Sequence, residues 1–484
     1  MTRLDENRVA LNDGGDFDIT LFANEAVQID RQSVAETANL FGIGRTIEQL
    51  NTVDFFGDVH GSLNRCLLTP DFHKGAGIPV GTVMETTGFI LPRSAGTDIG
   101  CGMRLVIASI TRDEFAALSG EIDNELRHTF FEGGRDIPMS EEGRAAMLRE
   151  GILGMAGTNE GIWKHIDPNR VADEFSRMHR NGSWPTNDLW NFQDYVKGSG
   201  GVSRDAMIAS IGGGNHFVEI QYVDECLDRH TCYDWGIKKN HVSIMAHTGS
   251  VDFGSAVGGF FMELAKKIFP HNMEHPEHGF YPLPTVGDQS EHGAKYLSAM
   301  GLAANFAIVN RFMLTELVLR ALSKVCGKEV SGHLVYDAPH NLVWSDGCNH
   351  IHRKGATPAE KFEFDENFPN GHPVIIPGSM GDASYVLRGH GAVTSLCSAP
   401  HGAGRLTARG ESRRGNVGEL DTIRIVTKID PKKTRRDVAD ELRKNLMEEA
   451  PSNYKAIGPA IDTVKNAGIA DPVARLMPLL TIKG

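Results

Sequence analysis

Short apolar runs that each stop at a glycine-rich polar turn recur along most of this chain, and they constrain its fold more than any other feature. Arg104-Leu-Val-Ile-Ala-Ser-Ile110 follows a loop carrying Asp98 and Cys101. Met207-Ile-Ala-Ser-Ile211 leads into Gly-Gly-Gly-Asn215-His216-Phe217-Val218-Glu219, and His241-Val-Ser-Ile-Met-Ala246 leads into His247. Leu334-Val-Tyr336 precedes Asp337-Ala-Pro-His340-Asn341, and Val374-Ile-Ile376 precedes Pro377-Gly378-Ser379-Met380. Brief apolar runs bounded by turn signals read as strands, and strand ends are where a rigid sheet presents chemical groups. The polar turns are scattered from residue 98 to 483, so separate modules would each hold only a fragment of one site. The expected fold class is therefore α+β: a single large interwoven domain over residues 1–484, with mixed sheets around a central site.

Helical spacing appears in three places. Leu302, Phe306, Val309, Met313 and Leu317 form a stripe that predicts a long helix between about Glu291 and Val325. Val438, Leu442 and Leu446 predict a shorter one ending before Pro451, and Phe253 to Phe269 a third. Residues 111–200 are polar and poorly patterned, and read as a helical excursion remote from the chemistry.

Composition removes several classes. Over 484 residues, 40% hydrophobic and 23% charged content is ordinary for a folded protein with a sizeable core. No run is expected to reach the ~20 apolar residues that span a bilayer, no apolar leader opens the chain, and the expected location is the cytoplasm. A net charge of −13 argues against a surface that coats nucleic acid indiscriminately. Basic clusters at Arg353-Lys354, Arg413-Arg414 and Lys432 to Arg436 read as solvated surface unless they border a site. Seven cysteines, with no C-x-x-C pair, make neither a disulfide framework nor a zinc ribbon.

Two constellations carry chemistry. In Thr97-Asp98-Ile-Gly-Cys101-Gly-Met103, an Asp-x-x-Cys pair on a glycine loop can turn two anionic ligands toward one point. With His216, His247 and His340 at three further strand ends, the set exceeds one tetrahedral site and suits two ions sharing a thiolate. The second is Ala399-Pro-His401-Gly402-Ala403-Gly404-Arg405, where small residues would let backbone N–H groups approach phosphate oxygens around a histidine. A glycine-rich turn with an incidental histidine is the plainer reading of that segment by itself. His271, His275 and His278 read as surface loop, His350 and His352 as one face of a strand, and His60 and His73 as supporting or substrate groups.

Taken in order, Asp98-Ile-Gly-Cys-Gly-Met, Gly214-Asn-His-Phe-Val-Glu219, His340-Asn, His352-Arg-Lys-Gly-Ala-Thr357, Pro377-Gly-Ser-Met-Gly, Ala383-Ser-Tyr-Val-Leu, His401-Gly-Ala-Gly-Arg405 and Ile482-Lys-Gly484 resemble the RtcB-type RNA-splicing ligases. The resemblance runs from about Pro70 to the last residue. It implies ligation of RNA ends bearing a 3′-phosphate or 2′,3′-cyclic phosphate to a 5′-hydroxyl, with GTP and two Mn2+ ions as cofactors. By motif, His401 would be the nucleophile that is guanylylated, and Asp98, Cys101, His216, His247 and His340 would hold the metals. Guanylate contacts would come from Asn215, His216, Phe217, Val218, Glu219, His340, Asn341, Pro377, Gly378, Ser379, Met380, Ser384, His401, Gly402, Ala403, Gly404, Tyr454 and Lys483. Arg353, Lys354 and Arg405 are expected RNA-phosphate contacts, and an archease-like helper is an expected partner. Cysteine and histidine ligands would by themselves point to zinc, so manganese comes from the resemblance alone.

The chain also departs from that family's pattern. The usual His-Ser-Gly-Ser-Arg-Gly appears as His247-Thr-Gly-Ser-Val251-Asp252, removing an arginine, and the residue before the nucleophile is Pro400 rather than cysteine. Nothing needed for guanylylation is lost, so the expectation is a divergent branch acting in RNA repair or tRNA splicing. A dinuclear metallo-phosphoesterase would need the metal ligands but not Tyr454, Lys483 or the Gly-Ser-Met-Gly turn. A non-catalytic RNA-binding protein would be expected to have lost a ligand or the nucleophile.

Overall fold

Two β-sheets and one long helix set the positions of everything that follows. The computed structural model describes residues 1–15, 17–156, 163, 166–363, 365–407, 417–430 and 434–484. The basic pairs Arg413-Arg414 and Lys432-Lys433 lie outside these residues. The first sheet has seven strands in the order Thr2–Asp5, Arg8–Leu11, Ile19–Phe22, Ser62–His73, Val80–Thr87, Asn349–Lys354 and Asn341–Asp346. The second runs Gly332–Pro339, Gly102–Thr111, His241–Thr248, Phe217–Cys226, Ala470–Ile482, Ser384–Gly389 and Pro373–Ile376, with Ile425–Val426 pairing alongside Ala470–Ile482. The architecture is mixed α+β.

Register in the second sheet explains why residues distant in sequence meet. His247 pairs with both Met103 and Phe217, and Gly102 pairs with Thr248 and Pro339. One residue beyond each of these positions stand Cys101, His216 and His340, so all four ligand-bearing segments end at the same edge of adjacent strands. The strand Ala470–Ile482 lies in the middle of that sheet, pairing Val218 with Ile482, and so brings Lys483 to the same end.

The helix Ser290–Cys326 matches the expected span. It differs from the expected single stripe, because every residue from Ala299 to Leu319 is buried. It packs against the helices Asp252–Ile268, Ser119–Phe131 and Glu141–Glu150 and against His241–Thr248, leaving the stretch from Ala299 to Leu319 no solvent face. By length and composition it is apolar enough to cross a membrane, contrary to the sequence expectation, but its apolar window is wholly inside the protein. Burial of each large apolar side chain stabilises by ~1.5–3 kcal/mol, and Phe306, Phe312 and Leu314 are fully buried.

The run Met207 to Ile211 is a turn, not the expected strand. The Asp205 carboxylate accepts from the backbone N–H groups of Met207 and Ile208, and Ala209 takes a φ of 57°. That local bond competes with strand geometry and wins because Asn310 also fixes Ser210. The excursion is helical in pieces, at Arg112–Ala117, Ser119–Phe131, Glu141–Glu150, Ile152–Ala156, Pro168–Phe175 and Gln193–Lys197.

Candidate active site

Five side chains converge where the strand ends of the second sheet meet. His216 Nε2 and His247 Nε2 each lie 3.3 Å from Cys101 Sγ, and His247 Nε2 lies 3.3 Å from His340 Nε2. Asp98 Oδ2 lies 2.8 Å from His216 Nε2. Two three-ligand sets result, Cys101 with His247 and His340, and Asp98 with Cys101 and His216, joined through one sulfur. Gly249 makes this approach possible, because a Cβ there would collide with the Asp98 carboxylate.

The electrostatics fit a pair of cations. Burial first, and then the neighbouring Asp98 carboxylate, push the Cys101 thiol well above its ordinary value. A divalent ion in contact would invert that preference and deprotonate the thiol. Burial holds His247 and His340 well below the usual imidazole range, which keeps both neutral as ligation requires. The Nδ1 atoms of His216, His247 and His340 are buried without protein hydrogen-bond partners, so the Nε2 edges turned inward are where these rings concentrate their polar contacts.

His401 faces this cluster from the other side of the cleft, its ring centroid 4.7 Å from that of His340. Asp71, at the end of Ser62–His73, places Oδ2 2.7 Å from His401 Nδ1 and accepts from the His401 backbone N–H at 3.3 Å. Thr69 donates to the other carboxylate oxygen at 2.6 Å. Burial would raise the Asp71 carboxyl, but the His401 imidazole and Thr69 outweigh it and bring it below its ordinary value. A carboxylate on Nδ1 fixes the proton there and leaves the Nε2 lone pair for attack. Gly404, at a φ of 80°, lets the loop close on the Asp71 backbone, where any Cβ would clash. His73 stacks on His401 at 6.3 Å, and burial pushes it down to about 4.

The cleft between these groups has a volume of about 990 Å³. Every guanylate residue expected from sequence lines it except Val218 and Ser384. Val218 points into the apolar core, as alternation along Phe217–Cys226 requires. Ser384 sits behind the turn, its Oγ accepting from Gly378 N at 3.2 Å and from Gln221 Nε2 at 2.9 Å. Lys483 Nζ donates to the carbonyls of Gly214 and His216 at 2.6 and 2.9 Å. Glu219 accepts from Thr481 at 2.8 Å and Gln221 at 2.5 Å, and burial raises its carboxyl to about 7.

The expected phosphate contacts divide. Lys354 lines the cleft, where burial lowers its ammonium to about 8. Arg405 also lines it but engages Glu449 at 3.0 Å and Tyr454 Oη at 3.1 Å, which makes it a brace for Tyr454. Arg353 lies elsewhere. Its guanidinium is buried over Trp344 and donates to Ser398 Oγ and the carbonyls of Leu396 and Cys397, so it faces no substrate. His350 and His352 are likewise structural: His350 contacts Thr285 and Ser345, and His352 accepts from Leu91 N–H. Sequence reasoning missed Asp71 as the partner of His401, although its neighbour His73 reads there as a supporting group. It also missed Asp30, Arg31 and Gln32 at the cleft wall. Among the described residues, none from 111 to 200 lines the cleft.

A histidine held by a carboxylate, facing two side-chain sets able to hold cations across an open cleft, makes a candidate centre for metal-assisted group transfer. A family model described as "tRNA-splicing ligase RtcB" matches residues 53–484. The tRNA-splicing ligase RtcB of Thermococcus kodakarensis is 32% identical over 482 residues, covering 91% of each chain. That of Methanococcus maripaludis is 31% identical, covering 86% of this chain and 88% of the relative. The RNA-splicing ligase RtcB of Mycobacterium tuberculosis is 30% identical, covering 86% and 96%. The chain belongs to the RtcB family of RNA-splicing ligases.

Proposed function

We propose that this protein is a GTP- and manganese-dependent RNA ligase that acts in the cytoplasm through a guanylylated histidine. The observation that carries the reading is the pairing of His401 with Asp71 at 2.7 Å, opposite the two sets that share Cys101. His401 Nε2 attacks the α-phosphorus of GTP, forming a P–N bond while the bond to the β-phosphate oxygen breaks and pyrophosphate leaves. The Asp71 carboxylate offsets the positive charge that develops on the ring. An RNA 3′-phosphate oxygen then takes the guanylyl group and frees His401; a 2′,3′-cyclic phosphate must first be opened by water. The 5′-hydroxyl attacks the activated 3′-phosphate, and GMP departs.

Manganese, held by Asp98, Cys101, His216, His247 and His340, would supply Lewis-acid stabilisation of charge on the phosphoryl oxygens. Glu219 and Lys483 would read the guanine edge as a hydrogen-bond acceptor and a cation, and Ser379 and Met380 in the Pro377–Met380 turn would offer backbone N–H groups to the nucleotide. Lys354 is the phosphate contact proposed for RNA. Tyr454, braced by Arg405, presents an aromatic face, and an archease-like helper is the proposed accessory partner.

The test is incubation with α-labelled GTP and Mn2+, followed by a denaturing gel, for wild type and His401→Ala. Acid-labile label on wild type and none on the variant is the expected result. No label on folded, metal-loaded wild type would overturn the ligase reading.

A further inference from the structure

In the fully buried central stretch of the helix Ser290–Cys326 stands a guanidinium, Arg311, with no exposure to solvent. Burying a cation is costly unless each donor finds an acceptor, so the acceptors it meets are informative. Its Nε and Nη2 donate to Asp337 Oδ1 at 2.9 and 2.7 Å. Its Nη1 donates to the carbonyls of Gly100 at 2.7 Å and Thr248 at 3.1 Å. Gly100 precedes Cys101, Thr248 follows His247, and Asp337 stands three residues before His340. One planar group thus ties together three segments that each carry a ligand.

The adjoining residue extends the pattern to the fourth segment. Asn310 Nδ2 donates to Ser210 O at 2.9 Å and Gly249 O at 3.3 Å, and its Oδ1 accepts from Ser210 N–H at 2.9 Å. Ser210 opens the turn that ends in His216. The Gly100 turn also lies directly on the helix, where an added Cβ would crowd Ala304 and Ala307 at 3.0 Å.

We propose that Arg311 is the positioning residue that sets the spacing of the two cation sites, acting through the Cys101, His247 and His340 segments. The proposal rests on the cation-binding reading of the site. A guanidinium suits this task because its donors lie in one rigid plane, and three oxygens held to it keep a fixed separation. Lysine keeps the charge but cannot reproduce the fork. Groups behind metal ligands commonly change metal affinity by about 10–100-fold when altered.

The experiment is a Co2+ titration of the full chain followed by visible absorption and the thiolate-to-cobalt band, with thermal unfolding measured on the same samples. The variants are Arg311→Lys, Asp337→Asn and, as control, Asn305→Ser. Asn305 is equally buried on the same helix but holds Leu148 and Trp184, neither of which borders a ligand. Arg311→Lys should bind Co2+ about 10–100-fold more weakly, with an altered thiolate band. Asn305→Ser should lose thermal stability with wild-type Co2+ affinity. Arg311→Lys with wild-type affinity and band, whatever its stability, would refute the assignment. If Arg311→Lys does not fold, Asp337→Asn decides in the same way, since it weakens two of the four bonds. A wild type that shows no thiolate band would instead sink the cation reading itself, and the clamp with it.

Discussion

The substitution Asp71→Asn should slow guanylylation of His401 by about 10²–10³-fold while leaving the fold in place. The carboxylate is fully buried, with one oxygen 2.7 Å from His401 Nδ1 and the other accepting from Thr69 at 2.6 Å. Thr69 can turn its hydroxyl to the Gly81 carbonyl, already 3.1 Å away, so the variant's amide can face its NH2 to Thr69 and its oxygen to His401. The hydrogen bond and tautomer then survive, and the variant isolates the missing charge. When Nε2 attacks phosphorus the ring becomes cationic, and a unit charge ~4 Å away at an effective dielectric of ~20 is worth ~4 kcal/mol. At 1.36 kcal/mol per decade that is close to three decades, with incomplete charge transfer setting the lower bound. Single-turnover labelling from α-labelled GTP measures the rate, and competition binding measures affinity for GTP. A variant that guanylylates within about threefold of wild type would refute the reasoning. So would a loss fully explained by weaker GTP binding.

Cys101→Ser should abolish binding of both metal ions, because Cys101 is common to both ligand sets, whereas His340→Ala should remove one; metal analysis after gel filtration distinguishes them. Stability should fall as pH drops below about 6.5. His350 and His352 are pushed down by burial to about 4 and about 3, so between those values and 6.5 the unfolded chain binds protons the native state refuses. At pH 5 each costs ~2 kcal/mol, and His352→Gln should remove one such increment from urea denaturation compared at pH 7 and pH 5. Arg353→Met should lower unfolding free energy by about 1–3 kcal/mol, since it removes three hydrogen bonds whose acceptors each keep one other partner, yet leave KM for RNA unchanged.

What could be read from sequence tracks how local its cause is. The candidate ligands Asp98, Cys101, His216, His247 and His340 stood out because each sits in a polar or glycine-rich turn beside an apolar run, a pattern visible within ten residues. The partnership of Asp71 with His401 spans 330 positions and depends on two sheets meeting, which no local pattern encodes. Met207 to Ile211 misled because an upstream aspartate caps the turn, and hydrophobicity alone does not report that bond. Arg353 misled in the opposite sense: a basic pair looks like surface, yet both faces of Asn349–Lys354 are covered at His352 and Arg353, and Arg353 lies buried over Trp344. The long helix was legible in position but not in burial, since a stripe of five apolar residues cannot reveal that its flanks are covered too.

That helix has a consequence for how the protein is made. As Ser290–Cys326 leaves the ribosome, Gly332–Pro339, Pro373–Ile376, Ser384–Gly389, Ile425–Val426 and Ala470–Ile482 have yet to emerge, so the second sheet has only three of its strands. During that interval a segment apolar enough to pass for a membrane span is only partly covered. Arg311 and Glu316 then also lack or have just gained their counter-charges, and both mark the segment as one meant for water-excluding protein rather than lipid. Slow elongation after residue 326, or scarce holding chaperones, would therefore tax the yield of this enzyme more than the stability of its finished form would indicate.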